Sequence, residues 1–216
     1  MIPKNVSKKS AQSSKLDYIR EVTALLNLEG KWFPKFTGFA VQTGETSSSK
    51  QTTAVSKPAI VTSYIPGKKF SQIYKDLIED SPEVLIPILF EIVSAISFLH
   101  ERSLYHGDLS LNNVMVDYDE DLDLPPSVYL IDFGLTSEFT NKKAHGFTPD
   151  FWSFEMIMGG IEDISKIDVY AIGAIIFNVM YSTPLNTYLF KRVPTNQYHV
   201  KEDGKDFYRL PLMKIL

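Results

Sequence analysis

Three residues in the middle of the chain carry oxygen donors in a short, ordered pattern. Asp108 and Asn113 stand in His106-Gly107-Asp108-Leu109-Ser110-Leu111-Asn112-Asn113, and Asp132 opens Asp132-Phe133-Gly134. Two carboxylates and an amide suit Mg²⁺, a hard cation that takes oxygen ligands and commonly shares its coordination sphere with substrate phosphates. A carboxylate at such a place can also act as a base toward a hydroxyl. Taken singly, each has a plainer reading, because a lone Asp or Asn is most often a turn or cap residue. The three together, with Val114-Met115-Val116 and Val128-Tyr129-Leu130-Ile131 as short apolar strands alongside, call for a common explanation.

The composition sets outer limits. A chain of 216 residues, 44% apolar and 22% charged, is long enough for one domain with a proper core. Its net charge of −4 gives no reason to expect nucleic acid or an anionic membrane as a partner. It holds no cysteine, which excludes disulfides, zinc-thiolate sites and thiol nucleophiles and fits a cytoplasmic setting. Met1-Ile2-Pro3-Lys4-Asn5 leads into polar residues without the apolar core of a signal peptide, and no internal repeat is visible.

Several elements must position the three residues. Ser14 and Asp17 resemble a capping box opening a helix over 15–27, with Leu16, Ile19, Val22 and Leu26 as its expected buried stripe. Glu21 lies on this helix near Tyr18 and Leu25; alone it reads as a solvated charge. Phe36 to Val41 and Ala59 to Tyr64 read as strands, and the Ser/Thr/Gln-rich stretch from Gly44 to Lys57 as a hairpin loop. Val84 to His100 is a mostly apolar run shorter than the ~20 residues of a membrane span, interrupted by Glu91 and carrying Pro87 in its first turn, and reads as a buried core helix. The acidic stretch Asp117 to Asp123 lacks the glycine of a Ca²⁺ loop and reads as a solvated turn.

With the motifs in hand, the chain resembles the eukaryotic protein kinase family, whose catalytic loop reads H-R-D-L-x-x-x-N and is followed by D-F-G and A-P-E. The Asp108-to-Asn113 spacing matches and D-F-G is intact. The resemblance implies an α+β, protein-kinase-like fold, with a partial, small β-rich N-lobe over 1–65 (αC, β4 and β5 of that family) and a mostly helical C-lobe over 66–216, incomplete at its end. It implies a Mg-ATP-dependent phosphotransferase acting on protein hydroxyls. In that picture Asp108 orients the acceptor hydroxyl, while Asn113 and Asp132 hold Mg²⁺. Glu21 matches the αC glutamate that pairs with an ATP-gripping lysine. Thr62 matches the gatekeeper, the backbone of Ser63 to Ile65 would bond the adenine, and Met115 would pack on its ring. His106 and Phe133 match a stacked apolar column, so His106 is read as packed. Gly146-Phe147-Thr148-Pro149 and Ser153-Phe154-Glu155 resemble the G-T-P…A-P-E stretch, with only Glu155 of A-P-E retained. The run from Asp168 to Phe177 resembles the αF helix, apolar all round as a buried helix is. Its Asp168 would accept hydrogen bonds from the catalytic-loop backbone.

The departures also carry meaning. Gly107 replaces the arginine of H-R-D, which removes the centre of the pocket that receives an activation-loop phosphate. Ser110 and Asn112 stand where Ser/Thr and Tyr kinases carry Lys and Arg, so the loop does not name the acceptor. No G-x-G-x-x-G stretch precedes the helix of Glu21 and no V-A-I-K strand is present; Lys4 is the nearest lysine to fill that role. After Lys191 the chain turns polar, so the resemblance covers roughly 15–190, a kinase core trimmed at both ends. The expectation is an incomplete chain of impaired activity. Two alternatives stay open: a pseudokinase or scaffold that binds partners, and an atypical or small-molecule kinase, in which H-G-D also occurs. The A-P-E and αF segment separates the last from a protein kinase.

Overall fold

A computed structural model describes residues 18–48, 51–121, 124–141, 148–153, 155, 161–185, 199–202 and 205–208. Lys4, the Ser14–Asp17 cap, Leu16, Gly146, Phe147 and Phe154 lie outside them.

The first helix, α1, runs through residues 18–27. Its buried face is not the expected one, because Ile19 and Leu26 are 51% and 61% exposed. Ala24, Leu25 and Leu28 are buried instead, and Tyr18 stacks on Phe39 with ring centroids 6.0 Å apart. Two apolar stripes compete on this helix. The one containing Tyr18, Glu21 and Leu25 wins because it meets the aromatic residues that follow.

β1 (Phe36–Ser48) and β2 (Gln51–Thr62) form an antiparallel hairpin, paired from Phe36↔Thr62 to Ser48↔Gln51. The stretch from Gly44 to Lys57, expected as a loop, is therefore mostly ladder. Its polar residues need no core to pair, since the ladder is made of backbone groups. The second strand ends at Thr62, so Ser63 and Tyr64 lie beyond it.

A three-stranded antiparallel sheet joins β3 (Lys68–Lys69), β5 (Val114–Asp117) and β6 (Ser127–Leu130). Gly67 enters it at φ +86°, and a Cβ there would collide with the carbonyl oxygen of Val116, so only glycine fits. The apolar spacing of Phe70, Ile73, Tyr74 and Leu77 builds α2 (Phe70–Asp80), an element outside the expectations above.

A 3₁₀ turn at Pro82–Val84 leads into α3 (Leu85–His100). By length and composition Pro82–His100 could cross a membrane. Its inner face, Ile88, Ile92, Ala95, Ile96 and Leu99, is at most 2% exposed in the core, whereas Ile86 and Phe90 face outward at 74% and 67%. It is a core helix on one side only. The same holds for α4 (Lys166–Tyr181), expected to be buried all round: Ile167, Asp168, Ala171, Ala174 and Ile175 are buried while Val169, Met180 and Tyr181 are exposed. Two short strands, β4 (Leu104–Tyr105) and β7 (Ser137–Glu138), pair beside the central loop. A last hairpin joins β8 (His199–Glu202) to β9 (Lys205–Tyr208). The fold is α+β, small antiparallel sheets with a mostly helical larger part.

Candidate functional site

The loop from His106 to Asn113 is held from below. Asp168, in the first turn of α4, is fully buried and faces it. Its Oδ2 accepts the N–H of His106 at 2.8 Å and its Oδ1 the N–H of Gly107 at 3.0 Å. His100 Nε2, at the end of α3, lies 3.0 Å from Asp168 Oδ2, and against a carboxylate oxygen the ring nitrogen is the donor. A buried carboxylate needs such donors, since an unpaired charge in the interior is costly. Leu109, Ser110 and Leu111 are buried too, so the loop is pinned along its length. Gly107 supplies the sharp turn at φ +81°; a Cβ there would lie 2.8 Å from the carbonyl oxygen of Leu135.

His106 is fully buried and packs on Phe133 at 5.3 Å, and Phe133 meets Phe33 edge-on at 5.9 Å. Its Nδ1 accepts the N–H of Asp108 at 3.3 Å, and Thr136 Oγ1 donates to its carbonyl at 3.2 Å. This is a packing ring.

Asp108 is half-buried, and donors reach both of its carboxylate oxygens. Asn113 Nδ2 donates to its backbone carbonyl at 2.8 Å and to Oδ2 at 3.1 Å. Thr148 Oγ1 donates to Oδ1 at 2.7 Å. These two acceptors fix the orientation of the Asn113 amide and turn its own oxygen away from Asp108.

Asp132 comes to the same place through the sheet. The register Val114↔Leu130 sets Asn113 opposite Ile131, whose N–H donates to the Asn113 carbonyl at 3.0 Å. Asp132 follows directly, exposed and at φ +65°. Left-handed backbone at a non-glycine residue is strained and is kept where the surroundings enforce it. Glu21, half-buried on α1, is near enough to this carboxylate to feel its charge. Burial, and then the negative charge of Asp132, push its carboxyl above the ordinary value of 4.5. Among the described residues Glu21 has no ion-pair partner.

Of the other expected residues, Met115 is half-buried in β5, paired with Tyr129 and Lys69. Thr62 closes β2 opposite Phe36. The N–H of Ser63 is bonded to the carbonyl of Lys35 at 2.7 Å, and Ser63 Oγ accepts the N–H of Lys35 at 2.9 Å. Ile65 is half-buried and Tyr64 between them is 89% exposed.

Asn113 and Asp132 supply one amide oxygen and one carboxylate. Among the described residues no cluster of three or more His, Cys, Asp or Glu forms a metal cage. The donor set fits Mg²⁺, which is held by one or two protein oxygens with the rest from water and phosphate. Two contacts to this site escaped the reading of the sequence. Thr148 was visible only as part of a G-T-P match, and His100 only as the end of an apolar run.

A family described as the protein kinase domain matches residues 1–205. The chain is 25% identical over 204 residues to the Dictyostelium discoideum dual specificity protein kinase zakA, covering 89% of the chain and 24% of that protein. It is 26% identical over 213 residues to the probable serine/threonine-protein kinase kinY of the same organism, covering 94% and 36%. Over 141 residues it is 28% identical to the serine/threonine-protein kinase PRR1 of Saccharomyces cerevisiae, covering 57% and 27%. The chain thus spans between 24% and 36% of the length of these relatives.

Proposed function

The chain belongs to the protein kinase family, and from that premise we propose that it transfers the γ-phosphoryl group of ATP, with Mg²⁺, to hydroxyl groups of a protein substrate. The observation that carries this is the placement of Asn113. Its Nδ2 donates to Asp108, while its backbone carbonyl accepts the N–H of Ile131, the residue before Asp132. The amide thus lies between the first carboxylate and the strand end that leads to the second.

In this reading Asp108 orients the acceptor hydroxyl and takes its proton as the oxygen attacks phosphorus and the bond to ADP breaks. Bound Mg²⁺ supplies charge neutralisation on the phosphates, and Asn113 Oδ1 with the Asp132 carboxylate would hold it. With the Ser63 N–H spent on Lys35, the Ser63 carbonyl and the Ile65 N–H are the groups left to meet an adenine edge, beside Thr62. Met115 lines the ring's face.

One observation favours a second reading, a scaffold that binds nucleotide poorly. Glu21 and Asp132 bring two carboxylates within electrostatic reach of each other, and their repulsion is what a lysine would relieve. The 216 residues hold no Gly-x-Gly-x-x-Gly stretch. We therefore expect weak nucleotide affinity and slow turnover in this chain.

The test is a thermal-shift titration with ATP and Mg²⁺ beside label transfer from γ-labelled ATP to a generic protein substrate. The kinase reading expects a shift lost in Asp132→Asn and transfer lost in Asp108→Asn. A shift in neither protein, with no transfer, would leave the scaffold. Transfer undiminished in Asp108→Asn would remove that residue from its role.

A further inference from the structure

Tyr105 stands at the head of the central loop, just before His106, and is only 1% exposed although it carries a hydroxyl. We propose that Tyr105 is a positioning residue. With Ser137 and Asn141 it forms an uncharged latch that fixes the stretch after Asp132-Phe133-Gly134 against the central loop, and so helps to set Thr148 on Asp108.

Three hydrogen bonds close the latch. Tyr105 donates its hydroxyl to the Asn141 carbonyl at 3.2 Å. Having given its proton to that carbonyl, the phenol oxygen meets the Ser137 side chain as an acceptor. Asn141 Nδ2 donates to Ser137 Oγ at 2.9 Å, which completes the ring. The β4–β7 pairing brings these groups together, because Tyr105 stands directly opposite Ser137 and paired side chains share a face. Beyond β7, the N–H of Phe139 donates to the Ser103 carbonyl and that of Asn141 to the Glu138 carbonyl, both at 2.9 Å. The chain thus turns back and returns Asn141 to the phenol. Gly107 leaves room for the ring: a Cβ there would stand 3.2 Å from Cε2 and 3.3 Å from Cδ2 of Tyr105.

The ring has a second role, in packing. Tyr105, Ile164 and Ile167 form a small buried cluster apart from the main core, and Phe139 and Trp152 pack against it. Phe139 lies near the start of the stretch that carries Thr148. Trp152 lies at its end, next to the 3₁₀ turn Pro149–Phe151, where the N–H of Phe151 donates to the Thr148 carbonyl at 3.0 Å. The hydroxyl therefore holds one end, and the cluster built on the ring supports the other. No charged group enters the latch, so salt should not loosen it.

What Asp108 does with this support rests on the kinase reading, but the latch can be read without turnover. Amide hydrogen exchange is followed at Phe139, Asn141 and Phe151, with α3 as the control. Tyr105→Phe and Ser137→Ala should each speed exchange at Phe139 and Asn141 about fivefold, the scale of one lost neutral hydrogen bond, and leave α3 unchanged. The double variant should do little more than either alone, since both changes open one ring. Ser137→Thr, which keeps the hydroxyl, should restore protection. Tyr105→Ala should also speed Phe151, by about tenfold. In the intact chain, exchange at Phe139 and Asn141 should stay within about twofold between roughly 0.05 and 0.5 M salt. Unchanged exchange in both Tyr105→Phe and Ser137→Ala would overturn the proposal. So would fully additive effects in the double variant, or equal acceleration of α3. If Tyr105→Ala does not fold, the two hydroxyl variants decide. In label transfer, Tyr105→Phe should lower kcat about threefold at an unchanged KM for ATP, and an unchanged kcat would overturn the link to Asp108. The expected exchange pattern with no transfer in any of these proteins would sink the kinase reading while still supporting the latch.

Discussion

Thr148 donates its hydroxyl to Oδ1 of Asp108 at 2.7 Å across 40 residues of chain. With Asn113 on the other oxygen, the carboxylate is held in one rotation. Thr148→Val removes the donor and keeps the shape, and should lower kcat about tenfold, the cost of ~1.4 kcal/mol in the transition state. Thr148→Ser should restore most of it. Equal rates in Thr148→Val and the unchanged chain, measured with saturating acceptor, would show that the bond orients nothing.

Asp168 is the post on which the loop stands. Asp168→Ala would strip the partner from two backbone donors and from His100, all aimed at one buried point. Hydrogen bonds to a charged group are worth ~1.5–3 kcal/mol each, so a loss of about 3 kcal/mol or more is expected in urea unfolding. Asp168→Asn keeps one acceptor oxygen and should lose roughly half as much. A loss below about 1 kcal/mol for the alanine variant would mean that the loop is held elsewhere.

Gly107 cannot carry a side chain without moving the backbone of Leu135, whose carbonyl oxygen would lie 2.8 Å from a Cβ. At φ +81° an L-residue is strained as well. Gly107→Ala should cost about 1–3 kcal/mol, and Gly107→Arg no less. An arginine at this place, as in the H-R-D pattern, is therefore not accommodated without strain. Thermal unfolding of the two variants checks this; an unchanged midpoint for Gly107→Arg would contradict it.

Glu21 holds its proton more tightly folded than unfolded, because burial and Asp132 both disfavour its charge. Its contribution to stability is thus greatest below the ordinary glutamate value of 4.5 and falls as pH rises through the raised one. Glu21→Gln removes that fall. Since the residue is only half-buried, solvent tempers the effect, and the gain should be about 1–2 °C in Tm near neutral pH and absent below about pH 4. A Tm that drops near neutral pH would show instead that Glu21 has found a cation.

Much of the site was legible because its parts lie close together in the chain. Asp108 to Asn113 is one turn of backbone, and the β5–β6 hairpin brings Asp132 in by local pairing alone. Helix α1 was legible as a helix but not in orientation. Its two apolar stripes are nearly equivalent until Tyr18 meets Phe39 and Leu25 enters the core. The β1–β2 hairpin was underestimated, because a backbone ladder extends through polar residues that carry no hydrophobic signal.

The sequence by itself determined the family, the α+β class and the three oxygen donors, since these rest on residue types at short, fixed spacings. Tertiary structure alone decided what holds those donors: His100 on Asp168 and Thr148 on Asp108 join residues 68 and 40 positions apart. Such pairs form because helices and loops pack against one another around a core. The packing depends on the whole set of buried faces, and no local pattern encodes it.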